Sequence, residues 1–239
     1  MADTTHHSSR AAAFGRLAIA TLVATIGLTS MATGSTDAAR RTNSEMIAAE
    51  ADRALDALAG WRSSQSPVDY VRFVQSRELT ASMIAADLEV DADQLRDEWA
   101  SVGIDKQTAA ISALSQLGVP YRSMTSKPGV GFDCSGLTIW AFDQASIEIP
   151  RVSRDQIRAS IEVDEDDAEA GDLVYYPGHV SIYLGAELMV HSPNSGSYVE
   201  AAHLPDKSLR YGDIVGAVAE SEAADAAVTA SALDRLVAP

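Results

Sequence analysis

An α+β fold is predicted by three observations: helical periodicity fills the first half of the chain, short alternating strands fill the second, and the two kinds of element do not interleave. Helices followed by strands pack as helices on an antiparallel sheet, whereas a regular βαβ alternation would give a parallel one. The length, 239 residues, accommodates one domain of ordinary size plus a smaller appendage, with a core that needs no disulfide staples.

Residues 1–32 run from a polar stretch with Arg10 and Arg16, through apolar Leu17 to Leu28, to Ser30-Met31-Ala32, which sets small residues where a signal peptidase cleaves. They are expected to be a secretion signal, which places the mature protein in the cell envelope or outside the cell. A retained membrane anchor is the competing reading. Against it stands an uninterrupted apolar run shorter than the roughly 20 residues that span a bilayer. Residues 33–43 carry no large apolar side chain and read as a flexible linker.

Ser44 is the expected cap of a first helix whose apolar positions Ile47, Ala51, Ala54, Leu55, Leu58 and Trp61 keep the 3.6-residue period. Ser66-Pro67 opens a second helix, since proline suits the first helical position. A third is expected over 80–88, and Asp91 with Gln94 forms a capping box ahead of Leu95 and Trp99. Residues 44–102 are thus a helical segment that serves as spacer, lid or dock. Another helix is expected at 107–117 and one more from Cys134 onward, followed by strands at 172–176, 180–184, 188–191 and 214–219. Residues 220–239, rich in Ala and acidic side chains, read as a tail with at most one helical piece.

The formal net charge is −16. Binding a phosphate backbone needs clustered Lys and Arg, so nucleic acid is excluded as a partner; affinity for any anionic polymer must come from a specific cleft. Helical packing accounts for the helix-turn-helix-like pattern of residues 84–95.

Chemistry is concentrated in few residues. Cys134 is the only cysteine, so no intramolecular disulfide forms. A single thiol in an exported chain is either a small buried hydrophobe or a working group. Its place at a helix amino terminus supports the second reading, because unpaired backbone N–H groups and the helix dipole lower a thiol pKa and can hold an oxyanion. Beyond residue 32 there are three histidines, His179, His191 and His203. The first two lie on neighbouring predicted strands, twelve residues apart, the length of a strand, a turn and a strand. Thiol, imidazole and a third polar group that orients the imidazole are what nucleophilic acyl transfer requires. Cys134 and the histidines match no compact zinc-ligand spacing, and no metal is expected.

Six segments in order, Leu117-Gly-Val-Pro-Tyr121, Asp133-Cys-Ser-Gly-Leu137, Pro150-Arg-Val-Ser153 with Gln156, Gly171-Asp-Leu-Val-Tyr-Tyr176, Gly178-His-Val-Ser-Ile-Tyr-Leu-Gly185 and Met189-Val-His191, resemble the NlpC/P60 family of cell-wall cysteine peptidases. The resemblance spans residues 105–219, nearly half of the chain. It implies a reduced papain-like α+β domain in which Cys134 is the nucleophile, His179 the general base and His191 the residue that orients it. It further implies that Tyr121 binds substrate or stabilises the intermediate, that Asp133 and Ser135 line the cleft, and that Arg151, Ser153 and Gln156 shape its wall. The implied partner is a peptidoglycan stem peptide, cut between D-isoglutamate and meso-diaminopimelate or lysine, with no cofactor. An amidase or acyltransferase on the same fold, and a non-catalytic wall-binding protein, are the alternatives. One departure is the loop Ser123-Met-Thr-Ser-Lys-Pro128, where family members are richer in glycine.

Overall fold

The computed structural model describes residues 32–237, so all but the last residue of the expected signal lies outside the described residues. Four helices come first: α1 (Ala32–Ser64), α2 (Pro67–Leu88), α3 (Ala92–Ser101) and α4 (Ile104–Leu114). A small ribbon, β1 (Ser126–Lys127) and β2 (Gly131–Phe132), leads into α5 (Cys134–Asp143) and α6 (Ser153–Ala159). Strands β3 (Ile161–Val163), β4 (Leu173–Tyr176), β5 (His179–Gly185), β6 (Leu188–His191), β7 (Glu200–His203) and β8 (Arg210–Asp213) follow, and α7 (Ile214–Val237) closes the described chain. The six later strands form one antiparallel sheet in the order β3-β8-β4-β5-β6-β7. Among the described residues no helix is long and apolar enough to cross a membrane.

The apolar stripe of α1 buries Ile47, Ala51, Ala54 and Leu58, spaced by three or four residues as one helix face demands. It packs on α2, where the Trp61 and Tyr70 rings lie 5.2 Å apart beside the connecting turn. Phe73 and Ile84 of α2, with Leu95 and Trp99 of α3, enter the same apolar core as Ile111, Leu137, Val180, Leu184 and Val190. The helical segment and the sheet therefore share one core.

Helix α3 grips the β5–β6 hairpin at its turn. Trp99 Nε1 donates to the Leu184 carbonyl at 2.6 Å, and Glu98 Oε2 accepts from the Ala186 amide at 2.8 Å. Ala186 and Glu187 both occupy left-handed backbone, with φ of 47° and 59°, which costs a non-glycine residue about 1 kcal/mol or more. Their conformation suits a tight hairpin, and the Glu98 carboxylate holds it by satisfying the turn amide.

A buried cation joins α4 to the sheet. Lys106 Nζ lies 2.8 Å from Asp172, 2.9 Å from Glu169 and 3.4 Å from Asp213. Burial pulls the ammonium pKa down, but hydrogen bonds to Asp172 and Glu169 and the surrounding charge override it and push it up to about 12. Lys106→Met is expected to cost about 3–5 kcal/mol in urea denaturation at neutral pH, because it strands the Asp172 carboxylate without its counter-ion. A loss under about 1 kcal/mol would show that the cluster contributes no more than a surface ion pair.

Several expectations are corrected. The stretch 33–43 is not a linker: α1 already begins at Ala32, so Ser44 lies inside the helix and caps nothing. Ala38, Ala39, Arg40 and Arg41 are strong helix formers, and extending an established helix is far easier than nucleating one. Residues 67–88 form one helix instead of two, no Gly or Pro interrupting them. The Asp91 cap forms, its carboxylate accepting from the amides of Asp93 and Gln94, but Gln94 does not reciprocate and donates instead to Glu98. The last strand is Arg210–Asp213 and not 214–219, because Asp213 turns the chain into α7 by accepting from the Gly216 amide at 2.8 Å. The Ala-rich stretch expected as a tail continues that helix to Val237.

Candidate active site

Asp133 organises the amino terminus of α5. Its Oδ1 accepts from the Gly136 amide at 2.7 Å, and its Oδ2 accepts from the Met124 amide and from Arg151, each at 2.7 Å. A second Arg151 nitrogen donates to Ser135 Oγ at 2.7 Å. One carboxylate thus fixes the helix start, the preceding loop and the Arg151 side chain. Position 136 requires glycine: an added Cβ would stand 2.1 Å from the Thr125 carbonyl oxygen, which packs against the helix start. Gln156 is fully buried and donates to the carbonyls of Ser135 and Pro150 while accepting from Thr138 Oγ1, tying α6 to α5.

Cys134, the first residue of α5, is half-buried. The helix position alone predicts a lowered thiol pKa, but the structure reverses the direction. Burial pushes the thiol up and outweighs the backbone N–H groups of Val180 and Ser135 that face the sulfur.

The sheet supplies a row of side chains across four strands. His179 opens β5 opposite Tyr176 of β4, and His191 closes β6 opposite Glu200 of β7. His179 Nε2 lies 2.9 Å from His191 Nδ1, with the rings edge-on at 89° and both residues buried. The Tyr176 ring stacks on the other side of His179 with centroids 4.9 Å apart. Beyond His191 the Glu200 carboxylate stands 3.6 Å from Nε2, at ion-pair range, and His191 draws its pKa down. Burial, then the neighbouring His191 and Lys207, lowers His179 to about 4. Just after His191, Ser192 Oγ donates to the Phe132 carbonyl at 2.8 Å, which draws the end of β6 towards the strand that precedes Cys134.

The structure thus brings Cys134, Asp133, Ser135 and Arg151 together at one helix end, and His179 and His191 together on the sheet. Tyr121 joins them: burial raises its phenol, with further increments from the nearby Asp133 and Cys134. Ser153 opens α6 and lines a shallow depression of about 250 Å³ with Arg154, Arg158, Tyr175 and Gly178, the residue before His179. His203 bonds the Leu88 carbonyl, away from the row. Sequence reasoning missed Glu200, Tyr176 and Lys207 as neighbours of the histidines. Tyr176 carried a signal, since it ends a predicted strand just before Gly178-His179, whereas β7, Glu-Ala-Ala-His, has no β-branched or large apolar side chain to mark it as a strand.

Helices packed on an antiparallel sheet, with a thiol at a helix amino terminus, define a reduced papain-like α+β domain. The NlpC/P60 family model matches residues 118–215, so this part of the chain is an NlpC/P60 domain. A bifunctional muramidase/DL-endopeptidase of Bacillus subtilis is 31% identical over 169 residues, which cover 65% of this chain and 47% of that protein. A probable endopeptidase of Mycobacterium tuberculosis is 42% identical over 97 residues, covering 39% and 25%. A gamma-D-glutamyl-L-lysine dipeptidyl-peptidase of Bacillus subtilis is 37% identical over 98 residues, covering 38% and 33%. This chain therefore spans less than half the length of each of these relatives. The P60 domain of an antigen from M. avium subspecies paratuberculosis has a TM-score of 0.42 at 30% identity, over 46% of this chain and 94% of that one.

Proposed function

We propose that the chain is an exported cysteine endopeptidase that hydrolyses peptidoglycan stem peptides at the bond between D-isoglutamate and meso-diaminopimelate or lysine. The observation that carries the reading is the 2.9 Å His179–His191 pair on the sheet, in a domain whose thiol stands at the start of the helix packed on it. Relatives that act as DL-endopeptidase and as gamma-D-glutamyl-L-lysine peptidase support the choice of bond. In this reading residues 1–32 direct export to the cell envelope.

Each residue then has one task. With its Nε2–H donated to His191 Nδ1, His179 keeps Nδ1 free to take the thiol proton as sulfur attacks the carbonyl carbon. The amides at the start of α5, with Tyr121, hold the oxyanion that forms, and the proton passes from His179 to the departing amine. Water, deprotonated by the same imidazole, then releases the acyl group from sulfur. Asp133 and Arg151 keep the helix start and its amides in place. His191 fixes the tautomer and plane of the base.

Digestion of purified peptidoglycan by residues 33–239, with fragments identified by mass spectrometry, tests the reading. Fragments with a new amino terminus at the diamino acid are expected. A freed L-alanine terminus would make the protein an amidase, and intact peptidoglycan would remove the hydrolase reading. Glu200→Gln is expected to lower kcat by no more than about fivefold, since a half-exposed charge pair contributes about 0–1 kcal/mol. A fall of a hundredfold or more, on the order of 3 kcal/mol, would make Glu200 an obligatory partner of His191.

A further inference from the structure

The β7–β8 connection carries Lys207, whose Nζ sits 4.0 Å from the centre of the Tyr176 ring. That ring stacks on His179 at 4.9 Å and 27°, so the phenol ring touches both the ammonium and the imidazole beside the candidate active site. The ammonium stands less than 9 Å from the His179 ring centre, given those two steps of 4.0 and 4.9 Å. It makes no ion pair among the described residues, in a chain with 34 acidic and 18 basic side chains. By contrast Arg151, a cation at the start of α5, is already held by Asp133 and Ser135. The aromatic face steadies an exposed ammonium, so Lys207 offers a placed charge with its hydrogen-bonding capacity unspent.

An extended peptide advances about 3.3–3.6 Å per residue, so a charge at this distance from the base reaches one or two residues from the bond being cut. We infer that Lys207 is a specificity residue that takes a free carboxylate of the substrate within two residues of the scissile bond, so that acidic stem peptides are preferred over amidated ones. The inference rests on the peptidase reading and adds the substrate class to it. A fixed cation offsets the repulsion that a protein of net charge −16 exerts on an acidic peptide. The same charge helps to hold His179 in its neutral form. A bound carboxylate cancels part of that influence and so raises the proton affinity of the base when substrate is in place.

The test compares one γ-D-glutamyl-diamino acid peptide with its counterparts amidated at the glutamyl or at the diamino acid carboxylate. On the full chain the free acid is expected to have a kcat/KM about tenfold above one of the two amides, the amide that loses the preference naming the carboxylate. Lys207→Ala should collapse the preference to near unity through KM, and Lys207→Arg should restore most of it. Equal hydrolysis of acid and amides by the parent chain would overturn the inference. So would a Lys207→Ala variant whose only change is a shifted acid limb of the kcat profile, because Lys207 would then act on His179 alone. Calorimetry of the same peptides on Cys134→Ala separates the two readings. Lys207-dependent binding of the acid without turnover by the parent removes the peptidase and leaves the carboxylate site; turnover without discrimination does the reverse.

Discussion

Replacing Cys134 with alanine is expected to lower kcat on stem peptides by at least about 10⁴-fold, the scale on which removing a covalent nucleophile acts. No other side chain can stand in for it. The chain has no second cysteine, and the adjacent Ser135 hydroxyl accepts from Arg151. The fold should tolerate the change, because the Asp133 cap, the Gln156 bonds and the helix start use backbone atoms of this segment and not the sulfur. Urea denaturation should therefore give a stability within about 1 kcal/mol of the parent. Substantial residual hydrolysis by a well-folded Cys134→Ala protein would show that the thiol is not the nucleophile.

His179→Ala is expected to reduce kcat by about 10³-fold, the upper part of the range for a general base. Its pH behaviour is more diagnostic. Burial holds His179 down at about 4 and lifts the Cys134 thiol, so the resting pair is neutral imidazole and neutral thiol instead of an ion pair. Alkylation of Cys134 by iodoacetamide should then climb through the alkaline range, since the thiolate is the reacting form. A flat alkylation rate from about pH 5 to 8 would instead identify a preformed thiolate–imidazolium pair. On the acid side, activity should persist well below the ordinary imidazole range and fall as the pH approaches about 4, where the base becomes protonated. Stability follows with a definite sign. Between the ordinary value of 6.5 and about 4 the unfolded chain binds the proton more readily than the folded one, so stability falls as the pH is lowered through that window. His179→Ala should remove this part of the acid sensitivity.

The layout of the candidate site was legible where it follows from local sequence. Cys134 reads as the start of a helix, and the structure adds the Asp133 cap and, in the approach of Thr125, the reason for Gly136. The twelve-residue spacing of His179 and His191 fits a hairpin, and their rings meet at 2.9 Å. What was not legible depends on long-range packing. Glu200 reaches His191 only through the β6–β7 register, and Lys207 reaches Tyr176 from an irregular connection with no period to read. The direction of the thiol shift was missed because a helix terminus is visible in sequence and the degree of burial is not.

The grip of α3 on the β5–β6 turn has a consequence for how the molecule is assembled. Trp99 and Leu184 are 85 residues apart along the chain, and Ser192 and Phe132 are 60 apart. Contacts of that sequence separation close large loops and slow folding relative to local ones. The two imidazoles therefore acquire their braced geometry only once the chain from Trp99 to Ser192 has come together, and a stretch that ends short of either residue lacks one of the two braces. Competence is in this sense a property of topology, since both long-range braces must close before the imidazole pair is held.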